Sequence, residues 1–168
     1  MSGAPPFVCI VGRSGAGKTT VVEGLVRIFR GWGVRVGTVK HDPHGEMRWD
    51  QPGKDTWRHR EAGAERVLGV TPHGLWLAQR LERPPTLGAV LAWMEGMDLV
   101  LVEGFKEEIG PKVEVLRSET GLAPLPLPPE RWAVVSDVPL DLAVPCFGFE
   151  RIPDLAAFLA RRLALPVP

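Results

Sequence analysis

Residues 12–19 read Gly-Arg-Ser-Gly-Ala-Gly-Lys-Thr, a complete match to the pattern of a loop that wraps phosphate groups. Such a loop works only between a buried strand and the first turn of a helix. Its glycines let backbone N–H groups converge where a side chain would collide, and the helix adds its positive N-terminal end. Both flanks are present. Phe7–Val11 is a continuous apolar run suited to a strand buried on both faces. From Lys18 to about Arg30, Val21, Val22, Leu25, Val26, Ile28 and Phe29 recur at helical spacings, and Gly31 and Gly33 stop the helix. Val34–Val39 reads as a second strand, so the opening is a β-loop-α-β unit, which calls for a parallel sheet.

The rest of the chain continues the alternation. Residues 41–54 are polar and form a loop, and a short helix is expected from about Asp55 to Ala62. Glu65–Val70 and Leu75–Gln79 flank Thr71-Pro72-His73-Gly74 as a hairpin. Leu87–Glu95 reads as a helix and Leu99–Val102 as another buried strand. Val113–Leu116, Trp132–Val135 and Cys146–Phe149 are short strands, Leu122–Pro129 is a proline-rich connector, and Leu155–Leu163 is a closing amphipathic helix. The architecture is α/β.

At 168 residues and 45% hydrophobic, the chain is expected to form one domain, residues 1–168. Twenty basic against twenty acidic side chains argues against a nucleic-acid binder. No run approaches the roughly 18 apolar residues of a membrane span, and the start, MSGAPPFVCIVG, lacks the features of a secretory signal. A soluble, cytoplasmic protein is expected. Cys9 and Cys146 lie in apolar runs and read as reduced core residues.

Three segments carry the chemistry. In the phosphate loop, Gly12, Arg13, Ser14, Gly15, Ala16 and Gly17 surround the phosphates, and Lys18 reaches the β- and γ-phosphates. Thr19 ligates Mg²⁺, and Thr20 is placed to touch the α-phosphate. The second segment is Asp98-Leu-Val-Leu-Val-Glu103. An apolar strand ending in an acid supplies the Mg²⁺ contact, or orients water beside the γ-phosphate, at the same sheet edge as the loop. Glu103 is therefore the candidate catalytic and metal residue, and Asp98 a solvated strand-start residue. The third is Lys40-His41-Asp42-Pro43-His44 with Asp50–Asp55, read as nucleotide contacts, a metal-binding pair of histidines, or plain solvent-exposed loop. His59 and His73 read as surface residues. Trp76 and Trp93 suit a core or an interface, and Trp49 and Trp57 flank the polar loop.

The chain resembles the MobB family of molybdopterin-guanine dinucleotide biosynthesis adaptor proteins. The matching stretches are VGRSGAGKTT at 11–20, TVKHDPH at 38–44, DQPGKDTWRHREAGA at 50–64, DLVLVEGFK at 98–106 and PKVEV at 111–115, in family order. The resemblance implies a three-layer phosphate-loop NTPase fold with a mostly parallel sheet and a projecting β-hairpin. It also implies GTP and Mg²⁺ as cofactors and at most slow GTP hydrolysis. A homodimer is implied, working with the molybdenum cofactor guanylyltransferase and in reach of molybdopterin itself. By position it marks His41, Asp50, Lys54, Asp55 and Arg58 as ligand-loop candidates, with Glu103, Gly104 and Lys106 closing the site and Pro111-Lys112 following.

A chain without asparagine cannot carry the Asn-Lys-x-Asp guanine-reading motif. A carboxylate accepting from guanine N1–H and the exocyclic amine would serve instead, and Asp137, after the Trp132–Val135 strand, is the candidate. Two other readings share the loop. A small-molecule kinase would use Glu103 as base and 41–55 as lid. A metallochaperone GTPase would use His41 and His44 as ligands. Val67, Leu68, Val70, Leu75, Trp76 and Leu77 make the hairpin more apolar than a peripheral element needs, which fits pairing across a two-fold axis.

Overall fold

The computed structural model describes residues 4–45, 47, 50–126 and 130–165. Trp49 and the last residues of the proline-rich connector lie outside the described residues. The chain divides into two compact units, Met1–His41 with Leu87–Pro168, and Asp42–Thr86.

In the first unit, strand β1 (Phe7–Gly12) leads through the loop into helix α1 (Lys18–Gly31), and β2 (Val36–Lys40) follows. After the second unit come α3 (Leu87–Ala92), β5 (Leu99–Glu103), β6 (Lys112–Leu116), β7 (Arg131–Ser136), β8 (Cys146–Phe147) and α4 (Ile152–Arg162). The six strands form one sheet in the order β2-β5-β1-β6-β7-β8, and every neighbouring pair is parallel. The β-loop-α-β reading of the opening is thus realised, with β5 inserted between β2 and β1.

Alternation along the strands sends side chains to two layers. Val8, Ile10, Val113, Val115, Ala133 and Val135 pack with Leu25 and Phe29 of α1 and Leu155 and Leu159 of α4. Cys9, Val11, Val100 and Val102 pack on the opposite face with Leu87 and Leu91 of α3 and with Phe105. The result is three layers, helix on sheet on helix, with the strands reading as apolar runs because both faces are covered. On β6 the second face is not apolar: Lys112 and Glu114 are fully buried there.

Element ends differ from the sequence reading for local reasons. Helix α4 starts at Ile152, three residues early, because Pro153 in its first turn has a fixed φ that suits a helix start. Helix α3 stops at Ala92, short of the turn at Gly96, whose φ is 85°. Strand β8 is two residues long and passes into a 3₁₀ turn at Phe149–Arg151. Asp98, at the start of β5, keeps contact with solvent but is also paired. Its carboxylate accepts from the Arg35 backbone N–H at 2.8 Å, Nε at 3.0 Å and Nη2 at 2.7 Å, tying the start of β5 to the chain entering β2. These bonds hold the Asp98 carboxyl at about 2, below its usual range.

The second unit carries α2 (Asp55–Glu61) and an antiparallel hairpin of β3 (Arg66–Thr71) and β4 (Gly74–Gln79), turning at Pro72-His73. Its apolar residues are largely open: Leu68, Val70, Leu75 and Trp76 are 55%, 70%, 65% and 47% exposed. Trp93 of the first unit, at 63%, is not in the core either.

Candidate functional site

The site forms where β1 and β5 end side by side. Gly12 closes β1 with φ 146°, and a Cβ there would collide with the carbonyl oxygen of Val115 on β6, so only glycine lets the loop leave the sheet at this point. Gly17, with φ 96°, is the residue before α1. Between them Arg13, Ser14 and Gly15 are exposed, while the Ala16 methyl is buried in the core below. Ala16 thus offers a ligand its backbone and no side chain. Lys18 lies across the loop, its ammonium donating to the carbonyls of Gly12 at 3.1 Å and Arg13 at 2.8 Å. Burial lowers the Lys18 pKa, with Lys40 adding to the effect and Glu103 opposing it.

Thr19 and Thr20 are exposed in the first turn of α1. The Thr19 hydroxyl donates to Glu103, with Oε1 at 3.2 Å and Oε2 at 3.1 Å. The phosphate loop and the acid at the end of β5 are therefore in direct contact across 84 residues of sequence, as the shared sheet edge requires. A hydroxyl beside a carboxylate is a set of hard oxygen donors suited to Mg²⁺. Glu103 also receives the Lys40 ammonium at 3.2 Å on Oε1, since Lys40 and Glu103 are register partners on β2 and β5.

His41 belongs to this edge but not as an open ligand. Its backbone N–H donates to the Glu103 carbonyl at 2.9 Å, and its ring stacks on Phe105 with centroids 4.1 Å apart and planes 21° from parallel. Gly104 between them has φ 109°, and a Cβ there would lie 2.9 Å from the His41 Cβ. Lys106 points to solvent and pairs with Glu107 at 3.7 Å. Lys112 is buried and bonded to loop carbonyls. Asp50, Lys54, Asp55 and Arg58 lie in the other unit, with His44. There Asp50 Oδ1 accepts from the Gln51 N–H and the Thr56 hydroxyl, and Lys54 and Asp55 begin α2. Among the described residues no group of three or more His, Cys, Asp or Glu side chains is placed to hold a metal.

The segment 117–121 was not singled out by the sequence reading, yet it packs against the phosphate loop. Arg13 Nη1 donates to the Thr120 carbonyl at 3.3 Å, and the Arg117 guanidinium lies 5.4 Å from the Phe149 ring centroid. Phe149 in turn sits against Gly17. Asp137 stands at the C-terminal end of β7, on the same edge. Its carboxylate accepts from the Ser118 N–H at 2.9 Å and the Ser118 hydroxyl at 2.5 Å, bonds that lower its pKa and anchor the 117–121 segment. The signal that finds Arg117 and Ser118 is the one that found Glu103: they are the first residues past a parallel strand on this edge.

The sequence model described as "Molybdopterin guanine dinucleotide synthesis protein B", MobB, matches residues 7–137. The chain belongs to the MobB family. The molybdopterin-guanine dinucleotide biosynthesis adapter protein of Haemophilus influenzae is 35% identical over 162 residues, which cover 95% of this chain and 90% of that one. The Escherichia coli protein of the same description is also 35% identical over 162 residues, covering 92% and 91%. Among solved structures, the MobB homolog from Bacillus stearothermophilus superposes with a TM-score of 0.69 at 30% identity, covering 94% of this chain and 97% of the other. A crystal structure of molybdopterin-guanine biosynthesis protein B gives 0.73 at 26%, covering 94% and 99%. The MobB match covers the phosphate loop, Lys40, Glu103, the 117–121 segment and Asp137.

Proposed function

We propose that this chain is an adapter in molybdopterin guanine dinucleotide biosynthesis that binds GTP with Mg²⁺ and hydrolyses it slowly. The observation that carries the reading is the contact of Thr19 with Glu103 at the mouth of the phosphate loop. That contact joins a metal-ligating hydroxyl and an acid at the start of the helix whose first residue is the loop lysine. Lys18 would exchange the carbonyls of Gly12 and Arg13 for the β- and γ-phosphates, and the loop N–H groups and the α1 terminus would complete the cradle. Mg²⁺, held by Thr19 with Glu103 behind it, would neutralise phosphate charge. Slow turnover fits an acid committed to the metal site through Thr19.

The preference for guanine, the guanylyltransferase partner, the homodimer and a cytoplasmic setting come from kinship with the MobB adapters. On this reading both units act as one nucleotide-binding domain. The apolar hairpin of β3 and β4 is the surface through which two copies would pair, and sedimentation at high micromolar concentration tests it: a monomer there overturns the dimer. No described helix is long and apolar enough to cross a membrane.

Calorimetric titration with Mg²⁺ and GTP, and separately ATP, tests the core of the proposal. GTP binding well ahead of ATP, lost in Lys18→Ala, is the expected result. ATP preference would turn the reading toward a small-molecule kinase, and phosphate transfer to an acceptor would complete that reversal.

A further inference from the structure

Cations on this edge of the sheet differ in what holds them. Arg13 donates to the Thr120 carbonyl, Arg117 lies over Phe149, and Lys18 rests on the loop's own carbonyls. Lys40 is held by Glu103 Oε1, the same oxygen that accepts from the Thr19 hydroxyl. The lysine ammonium and the first hydroxyl of α1 are therefore separated by a single carboxylate. We propose that Lys40 reads the γ-phosphate: on binding of a magnesium nucleoside triphosphate it leaves Glu103 for the terminal phosphate, and so distinguishes tri- from diphosphate. The inference rests on the nucleotide reading of the site and adds to it the residue that senses the third phosphate.

Charge is the first argument. Glu103 is 12% exposed, and an acid so enclosed needs a positive partner, which in this structure is Lys40. A divalent cation on Thr19 would take over that role and leave the ammonium without its counter-charge. A γ-phosphate, itself doubly charged or nearly so, is the anion such an ammonium would then meet. Lys18 immediately precedes Thr19, and Thr19 and Lys40 share the Glu103 Oε1 oxygen. A phosphate chain seated on Lys18 thus ends in the field of Lys40.

Mechanics is the second. The backbone at Lys40 is fixed by its register with Glu103, by the His41 N–H bond to the Glu103 carbonyl, and by the His41–Phe105 stack. The side chain beyond it is 53% exposed on a flexible four-carbon stem. An anchored Cα with a mobile charged head lets the ammonium change partners while the strand stays in place.

The test uses the full chain, with Lys40→Met and Lys40→Arg, and reads GTP and GDP affinity by calorimetry in Mg²⁺. Wild type should prefer GTP by about tenfold to a hundredfold, the span expected for one charge-assisted hydrogen bond. Lys40→Met should bring the two affinities together while GDP changes by less than about twofold, and Lys40→Arg should keep most of the preference. Equal weakening of both nucleotides, an unchanged ratio, or a wild type blind to the third phosphate overturns the role of Lys40 and leaves nucleotide binding standing. A wild type that binds neither nucleotide overturns the nucleotide reading, and the γ-phosphate role with it.

Discussion

The two faces of the sheet are closed by different chemistry. On one, α1 and α4 bury Leu25, Phe29, Leu155 and Leu159 against valines, an isoleucine and alanines, and among the described residues the buried charged side chains, Lys112 and Glu114, both lie elsewhere. On the other, α3 covers β5 and β1, and beyond Cys9 and Val11 the register passes to Lys112 and Glu114 of β6, both wholly buried. Loops, not a helix, lie over them. The Lys112 ammonium donates to the carbonyls of Glu108 at 2.5 Å and Gly110 at 3.0 Å. Glu114 accepts the Leu125 N–H at 2.6 Å and pairs with Arg131 Nε at 2.7 Å, while Arg131 Nη2 donates to the Leu125 carbonyl at 2.6 Å. A helix arrives with its backbone groups already bonded and needs only apolar contact. Irregular loops, the one before β6 and the proline-rich connector after it, bring N–H and C=O groups without such partners, and buried charged side chains supply them. The lesson is that buried charge here marks where irregular backbone covers the sheet.

Glu114→Ala should break that arrangement hardest. It takes the ion-pair partner from Arg131 Nε and the acceptor from the Leu125 N–H, and a loss of about 3–5 kcal/mol is expected in denaturant unfolding. Replacing Glu114 and Arg131 together by leucine should restore much of the loss, because no lone charge then stays buried. A cost below about 1 kcal/mol for Glu114→Ala would mean that the connector does not depend on the pair. On the helical face, Leu159→Ala should cost about 2–5 kcal/mol through the cavity it leaves, and by the same amount at every pH between 5 and 9. A marked pH dependence would blur the distinction between the faces.

Smaller effects belong to the edges. The Asp98 carboxyl is held at about 2, below the value near 3.9 of an unfolded chain, so its stabilisation is present above about pH 4 and is lost as pH falls toward 2. Asp98→Asn should flatten the unfolding curve in that window and leave its slope at neutral pH unchanged. Smallest of all, burial pushes the Cys9 thiol up to about 11, while Cys146 is half-buried, and neither forms a disulfide. At pH 8, iodoacetamide should label Cys146 and spare Cys9 until the protein unfolds, as read by mass spectrometry. Prompt labelling of Cys9 would show that the second face opens readily.

Much of the site was legible in order along the chain. The phosphate loop is a local device: eight successive residues between a strand and a helix that they partly create, so its place in the fold follows from its neighbours. Glu103 was legible by one further step, since a parallel strand must deliver its end to the same edge. The pairing of Asp98 was not legible, because its partner, Arg35, lies 63 residues away and nothing near it in sequence announces the pair. Arg117, Ser118 and Thr120 were passed over because their segment has no motif of its own.

What the sequence determined by itself is the local grammar: the loop, its flanking strand and helix, the parallel sheet they demand, and the family to which these stretches point. Tertiary structure alone decided which charges meet. Lys40 became a partner of Glu103 only when β5 came to lie between β2 and β1, and Lys112 and Glu114 became interior only when loops covered β6. The physical reason is range. Backbone preferences and apolar periodicity act within a few residues, whereas the energy of a charge depends on how it is desolvated and what faces it, and those are set by segments that the chain brings together from far apart.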